Sequence, residues 1–223
     1  MSRLELGLTD NDILSLAERA DVIAIDAPFG WPQPFIDFIS ETPAPLEAVW
    51  DAGNRDRLCF RRTDLHVRGL LGRSPLSVSA DKIAIPAMRC TGLLGRLGVA
   101  DRSGAGKVVE VYPAAALHMW GFASTRYKTG TPALRHNEGN LAELVRAVMA
   151  ACPWLQLADE ALQLCSRSDD AFDALVAAFV GRAAALGLTI PPSGEDTEMA
   201  KTEGWIAVPR VGTLSKLAGA RPQ

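Results

Sequence analysis

Four acidic side chains stand where local pattern gives them chemical use: Asp26, Glu110, Asp170 and Asp173. Asp26 ends the apolar run Val22-Ile23-Ala24-Ile25, and Pro28, Gly30 and Pro32 break the chain just after it. Open α/β sheets place their chemistry beyond the carboxyl ends of such strands. Glu110 lies among valines in Val108-Val109-Glu110-Val111-Tyr112, where a carboxylate needs a partner, a metal or a solvated face. Asp170 and Asp173 are three residues apart at the start of a helical pattern, so they share one face. Carboxylates gathered in one place repel one another, and such sites suit hard divalent cations such as Mg²⁺ or Mn²⁺. Structural readings stand beside these. Asp26 equally suits accepting backbone hydrogen bonds from its turn, and Asp169 is accounted for by the helix N-terminus that Ser168 caps.

The second constellation is basic. Arg55, Arg57, Arg61, Arg62, Arg68 and Arg73 fall in one stretch with only Asp56 and Asp64 as acids. Guanidinium forks match phosphate oxygens, so Arg61 and Arg62 are candidate contacts to a nucleic-acid backbone or nucleotide. A loop whose arginines pair with nearby carboxylates is the structural alternative. Lys128, beside Tyr127, and Arg135 are weaker candidates.

The elements that must position these groups alternate in type. A capped helix is expected from Thr9 or Asp10 to about Arg19, after a short edge strand over residues 3–8. The run ending at Asp26 reads as a strand buried on both faces, followed by a short helix over 35–39 that stops at residues 43–45. Residues 50–80 read as mostly irregular. Helices are expected over 82–97, 114–120, 141–151, 158–165 and 169–186, the first and last closed by Gly98 and Gly187. Strands are expected over 107–112 and 205–208, with a loose tail. Alternating strands and helices imply α/β.

Bulk properties narrow the classes further. A chain of 223 residues with 48% hydrophobic and 22% charged residues fits one soluble domain over 1–223, carrying an Arg-rich insertion at 50–80. The net charge of −3 gives no global attraction to nucleic acid or membrane. No apolar run reaches spanning length and no signal-peptide core is present, so a cytoplasmic protein with reduced cysteines is expected. The four cysteines and three histidines are scattered, against a zinc site. Gly104-Ala105-Gly106-Lys107 fails as a P-loop: Asp101 replaces the first glycine and Val108 the Ser/Thr.

Five short motifs resemble domain-of-unknown-function family 429 and occur in its order: Ile25-Asp26-Ala27-Pro28-Phe29-Gly30-Trp31-Pro32, Arg61-Arg62-Thr63-Asp64, Glu110-Val111-Tyr112-Pro113-Ala114-Ala115, the Asp170–Ala178 helix start, and Glu203-Gly204-Trp205-Ile206-Ala207-Val208-Pro209. The resemblance implies an RNase H-like mixed sheet flanked by helices, with the first strands missing, and a predicted nuclease activity. It also likens the Asp170/Asp173 helix to the metal-ligating last helix of RuvC-like resolvases. Asp26, Asp170 and Asp173, helped by Glu110, would then hold two Mg²⁺ or Mn²⁺ ions about a scissile phosphate. A second reading keeps the fold without catalysis, as a module binding nucleic acid through Arg61 and Arg62 or binding a partner protein. A third, weaker one is a nucleotide- or sugar-phosphate-handling enzyme. Substrate choice and oligomeric state are not legible in the sequence.

Overall fold

The computed structural model describes residues 4–40, 52–129 and 136–219. In chain order the elements are α1 (Asp10–Ala17), β1 (Ile23–Ile25), α2 (Gln33–Ser40), α3 (Ala52–Cys59), α4 (Arg62–Leu71), α5 (Ala84–Arg96) and β2 (Val108–Glu110). They continue with α6 (Pro113–Met119), α7 (Glu138–Ala151), α8 (Asp159–Arg167), α9 (Asp169–Ala185), β3 (Thr189–Ile190), α10 (Asp196–Glu203) and β4 (Val208–Pro209). A 3₁₀ turn, Leu214–Leu217, follows. The architecture is mixed α/β and mostly helical, with strands of only two or three residues.

The chain divides into two compact units, each discontinuous in sequence. The first comprises Met1–Asp26, Val111–Ile190 and Val208–Gln223. Its centre is α9, a 17-residue helix that is almost apolar all round, as a helix enclosed by other elements must be. Phe172, Leu175, Val176, Val180 and Ala183 are fully buried or nearly so. Helices α6 and α8, strand β1 and the paired strands β3 and β4 pack against it. At Gly181 the helix comes so close to β1 that an added Cβ would lie 3.1 Å from the Ala24 methyl carbon. β3 and β4 pair antiparallel, with Thr189 opposite Pro209 and Ile190 opposite Val208. The second unit comprises Ala27–Glu110 and Pro191–Ala207. There α10 packs on α4 and α2, and Glu110 forms a parallel bridge with Ile206.

Most expected helices form within a residue or three of their sequence limits. Thr9 caps α1 by accepting from the Asp12 N–H, and Asp12 accepts in return from the Thr9 N–H, a reciprocal box. Several expectations differ. Residues 4–8 form no strand, and Leu6 stays exposed with no strand to pair with. β1 is half-buried along its length rather than enclosed on both faces. Residues 52–71, expected to be irregular, form α3 and α4. Their helical period escapes notice because two of the three residues α4 buries, Thr63 and Asp64, are polar. The expected strand over 205–208 shrinks to Val208–Pro209, and the tail closes with a 3₁₀ turn that buries Leu217. The proposed helix stop at 43–45 and Arg135 lie outside the described residues. No described helix is long and apolar enough to cross a membrane.

Candidate functional site

In the first unit, the site is built from the opening of α9, the end of β1 and the segment 126–129. Ser168 caps α9 by accepting from the Ala171 N–H. Asp169 then falls in the first turn and Asp173 one turn later, a spacing of four that puts both carboxylates on one face. Both are buried, whereas Asp170 is exposed and makes none of the hydrogen bonds described below. Of the two neighbouring aspartates, the first joins Asp173, and the face shared at a spacing of three is not the one used.

The segment 126–129 crosses this face and satisfies it. The Tyr127 hydroxyl donates to Asp173 Oδ1 at 3.0 Å, and Lys128 Nζ donates to Asp173 Oδ2. Lys128 Nζ also stands 3.8 Å from Asp169 Oδ2. Thr129 donates to Asp169 Oδ1 through both its amide N–H, at 3.1 Å, and its hydroxyl, at 2.8 Å. The Tyr127 ring meets Phe172 edge-on, with centroids 6.0 Å apart, and carries the Lys128 ammonium 5.4 Å from its own centroid. Asn140 Nδ2 donates to the Arg126 carbonyl and Asn137 Nδ2 to the Lys128 carbonyl, each at 2.9 Å, fixing the segment to the start of α7. Arg126 itself sits at φ 59°, a left-handed conformation that a non-glycine residue holds only when its surroundings impose it.

The electrostatics follow from burial and this one cation. Burial pushes the Asp173 carboxyl above its ordinary pKa, against the opposing pull of Lys128 and Tyr127. Burial, then the Asp173 charge, raises the Tyr127 phenol. Burial alone would favour a neutral Lys128, yet Asp173, Asp26 and Asp169 together hold its ammonium above the ordinary lysine range. Asp26, exposed at the end of β1, thus shares the field of the same cation. Two buried carboxylates and one ammonium form the cluster, and the charge of Asp26 acts on the same ammonium.

The other residues singled out in the sequence lie in the second unit, where they form a buried polar knot. Arg61 is 2% exposed. Its guanidinium donates to Asp64 (Nε 3.1 Å, Nη2 2.9 Å), to Glu110 (Nη1 2.9 Å, Nη2 2.8 Å) and to the Glu203 carbonyl at 3.2 Å. Glu110 Oε2 also accepts from the Phe29 N–H at 3.0 Å. Burial raises the Glu110 pKa, while Arg61 and the Phe29 amide pull it down. Burial works against the Arg61 charge, but Glu110 and Asp64 outweigh it and keep the guanidinium firmly protonated. Arg61 therefore has no face open to a phosphate; it is a structural cation. Arg62 is half-exposed and paired with Asp196 at 2.6 Å, with Glu195 3.8 Å away.

Every member of the Arg61-Arg62-Thr63-Asp64 motif has such an internal use. Asp64 accepts the Arg61 N–H, Thr63 Oγ1 accepts the Ile206 N–H, and the Arg62 N–H donates to Glu203 Oε2. Glu203 Oε1 accepts the Gln33 N–H, so one buried carboxylate caps the N-termini of both α2 and α4. Gly204 completes the knot at φ +91°; a Cβ there would lie 2.6 Å from Glu110 Oε2 and 2.8 Å from the Phe29 Cβ. Glu110 is thus the anion of Arg61 within its own unit. Among the described residues, no group of three His, Cys, Asp or Glu side chains is arranged to hold a metal ion. Asp173 has both oxygens occupied by Tyr127 and Lys128, and the ammonium takes the position a cation would need beside Asp169. As these side chains stand, they do not fit a divalent ion.

Fold and site together define a mixed α/β protein with an acidic cluster at a helix start and strand end. The chain belongs to the family described as Protein of unknown function (DUF429), whose model matches residues 8–198. No curated protein and no solved structure matches it. The sequence reading assigned Asp169 to the helix N-terminus and gave Lys128 as a weaker candidate; the structure brings both beside Asp173. The Tyr127-Lys128-Thr129 run offered no motif, and its partners lie 40 to 46 residues away in the chain.

Proposed function

We propose that the chain is a phosphodiester hydrolase, a nuclease of RNase H-like class that uses Mg²⁺ or Mn²⁺, with its working site at Asp26, Asp169 and Asp173. The observation that carries this reading is the pair of buried carboxylates one turn apart on α9, sharing the field of one ammonium with the carboxylate that ends β1. Burial of two adjacent acids is costly and is kept where charge is put to use. Oxygen-only donors of this kind suit hard divalent ions rather than softer metals. An acidic site repels a phosphodiester unless a cation stands between them; in this reading Asp26, Asp169 and Asp173 would hold that cation, and it would supply the positive charge the phosphate needs.

What this chain's own residues supply is positioning. Asn137 and Asn140 hold the segment 126–129 against α7, Tyr127 orients Asp173, and Thr129 orients Asp169. Arg61 carries no part of substrate binding, because its donors are all turned inward.

Lys128 favours a second reading, in which the fold is kept as a non-catalytic module binding nucleic acid or a partner protein: the acidic cluster is neutralised from within. A panel of labelled single- and double-stranded RNA, DNA and four-way junctions, incubated with Mn²⁺, separates the two. The nuclease reading expects cleavage in the parent and a loss of roughly a hundredfold or more in Asp173→Asn. A folded parent that cleaves none of the panel refutes it and leaves the module.

A further inference from the structure

Leu175, Phe179 and Arg182 share the side of α9 opposite to Asp169 and Asp173, given about 3.6 residues per turn. There they line a cleft of about 610 Å³, within the size range of sites that enclose small molecules. Trp154 and Leu155, after α7, and Leu217, in the 3₁₀ turn, line it as well. Phe179 stands edge-on to two indoles, Trp120 at 6.4 Å and Trp154 at 5.7 Å between centroids. The Trp120 N–H donates to Thr213 Oγ1 at 3.1 Å, so a hydrogen bond fixes that ring. The Trp154 N–H is buried with no acceptor among the described residues, so packing alone holds the ring that lines the cleft. Such a ring can tilt to meet a flat guest. Among the described lining residues only Arg182 is charged. Its Nε donates to the Leu217 carbonyl at 2.6 Å, which sets the guanidinium beside the apolar wall.

We infer that this cleft binds a small planar aromatic acid, with its ring against Trp154 and Phe179 and its carboxylate in the field of Arg182. Aromatic walls favour a flat ring, which meets them stacked or edge-on and loses little conformational freedom on entering. A carboxylate enters an apolar cleft only where a cation answers it, and a guanidinium does so with a charge that it keeps at any working pH. One positive charge in an apolar surround suits a monoanion and is a poor match for a polyanionic backbone. The site is therefore independent of the phosphodiester reading above and stands or falls separately.

The experiment is calorimetric titration of the full chain with naphthoate and with its uncharged counterpart naphthamide, which share a ring and differ in charge. Thermal unfolding of each variant used confirms that it is folded. The expected result is that the parent binds naphthoate about tenfold or more tightly than naphthamide. Arg182→Gln should erase that preference, and Arg182→Lys should keep part of it. Ala178, an exposed residue that also lines the cleft, offers a test that leaves Arg182 in place: Ala178→Trp fills the space and should lose both compounds. If naphthamide binds the parent as tightly as naphthoate, specificity for an acid is overturned. If naphthoate fails to bind the folded parent at millimolar concentration, or binds Ala178→Trp as tightly as the parent, the site itself is overturned.

Discussion

Arg61→Met distinguishes a structural arginine from a phosphate-binding one. The substitution keeps an unbranched apolar stem but removes five hydrogen bonds, two to Asp64, two to Glu110 and one to the Glu203 carbonyl. It leaves the Asp64 and Glu110 carboxylates, each 2% exposed, without their shared cation. Removing one partner of a buried pair typically costs about 3–5 kcal/mol, because the remaining charge stays desolvated. For a chain of this size each kcal/mol lowers the melting temperature by about 2–4 °C, giving a fall of about 6–20 °C. Urea denaturation followed by circular dichroism measures the free energy directly. Adding Glu110→Gln to Arg61→Met should restore part of the loss, since one of the stranded charges is then neutral. Arg61→Lys should rescue poorly, because a single ammonium cannot reproduce the fork that spans two carboxylates. A loss below about 1 kcal/mol for Arg61→Met would refute the reasoning and return Arg61 to the role of a surface contact.

Two further perturbations test the packing and the electrostatics. Gly204→Ala forces a Cβ to within 2.6 Å of Glu110 Oε2 in a backbone at φ +91°, so a loss of about 2 kcal/mol or more is expected by chemical denaturation. A change within a few tenths would mean that the knot yields readily. Asp173 has a folded-state pKa above its ordinary 3.8, so the folded form holds its proton more readily than the unfolded chain. Its contribution to stability is full below the unfolded pKa and is lost as pH rises through the folded pKa. The stability of the parent relative to Asp173→Asn should therefore improve as pH is lowered from about 7 to about 4. A gap that is flat across that range, or that widens in the other direction, would contradict the raised pKa.

Local signals made much of this fold legible. The apolar run of α9, the Thr9 cap, and Gly98 and Gly187 at φ +70° and +66° mark their helices because each acts within a turn or two of the chain. α10 and α4 escaped for the converse reason. Their buried positions include Glu203, Thr63 and Asp64, polar residues whose burial is worthwhile only through partners remote in sequence. The five motifs were visible as strings, and their order placed the chain in its family. Four of them, at Phe29, Arg61, Glu110 and Glu203, meet in a buried knot whose hydrogen bonds span up to 170 residues.

The choice among neighbouring aspartates shows the division most clearly. The sequence by itself determined that acids open α9 and that one of them shares a face with Asp173, because helical spacing is a local property. Its spacing pointed to Asp170, three residues away, and left Asp169, four away, to the helix N-terminus. The tertiary structure decided for Asp169 by laying Tyr127, Lys128 and Thr129 across that side of the helix. A carboxylate is buried only where donors are brought to it, and these donors come from a segment about 40 residues earlier.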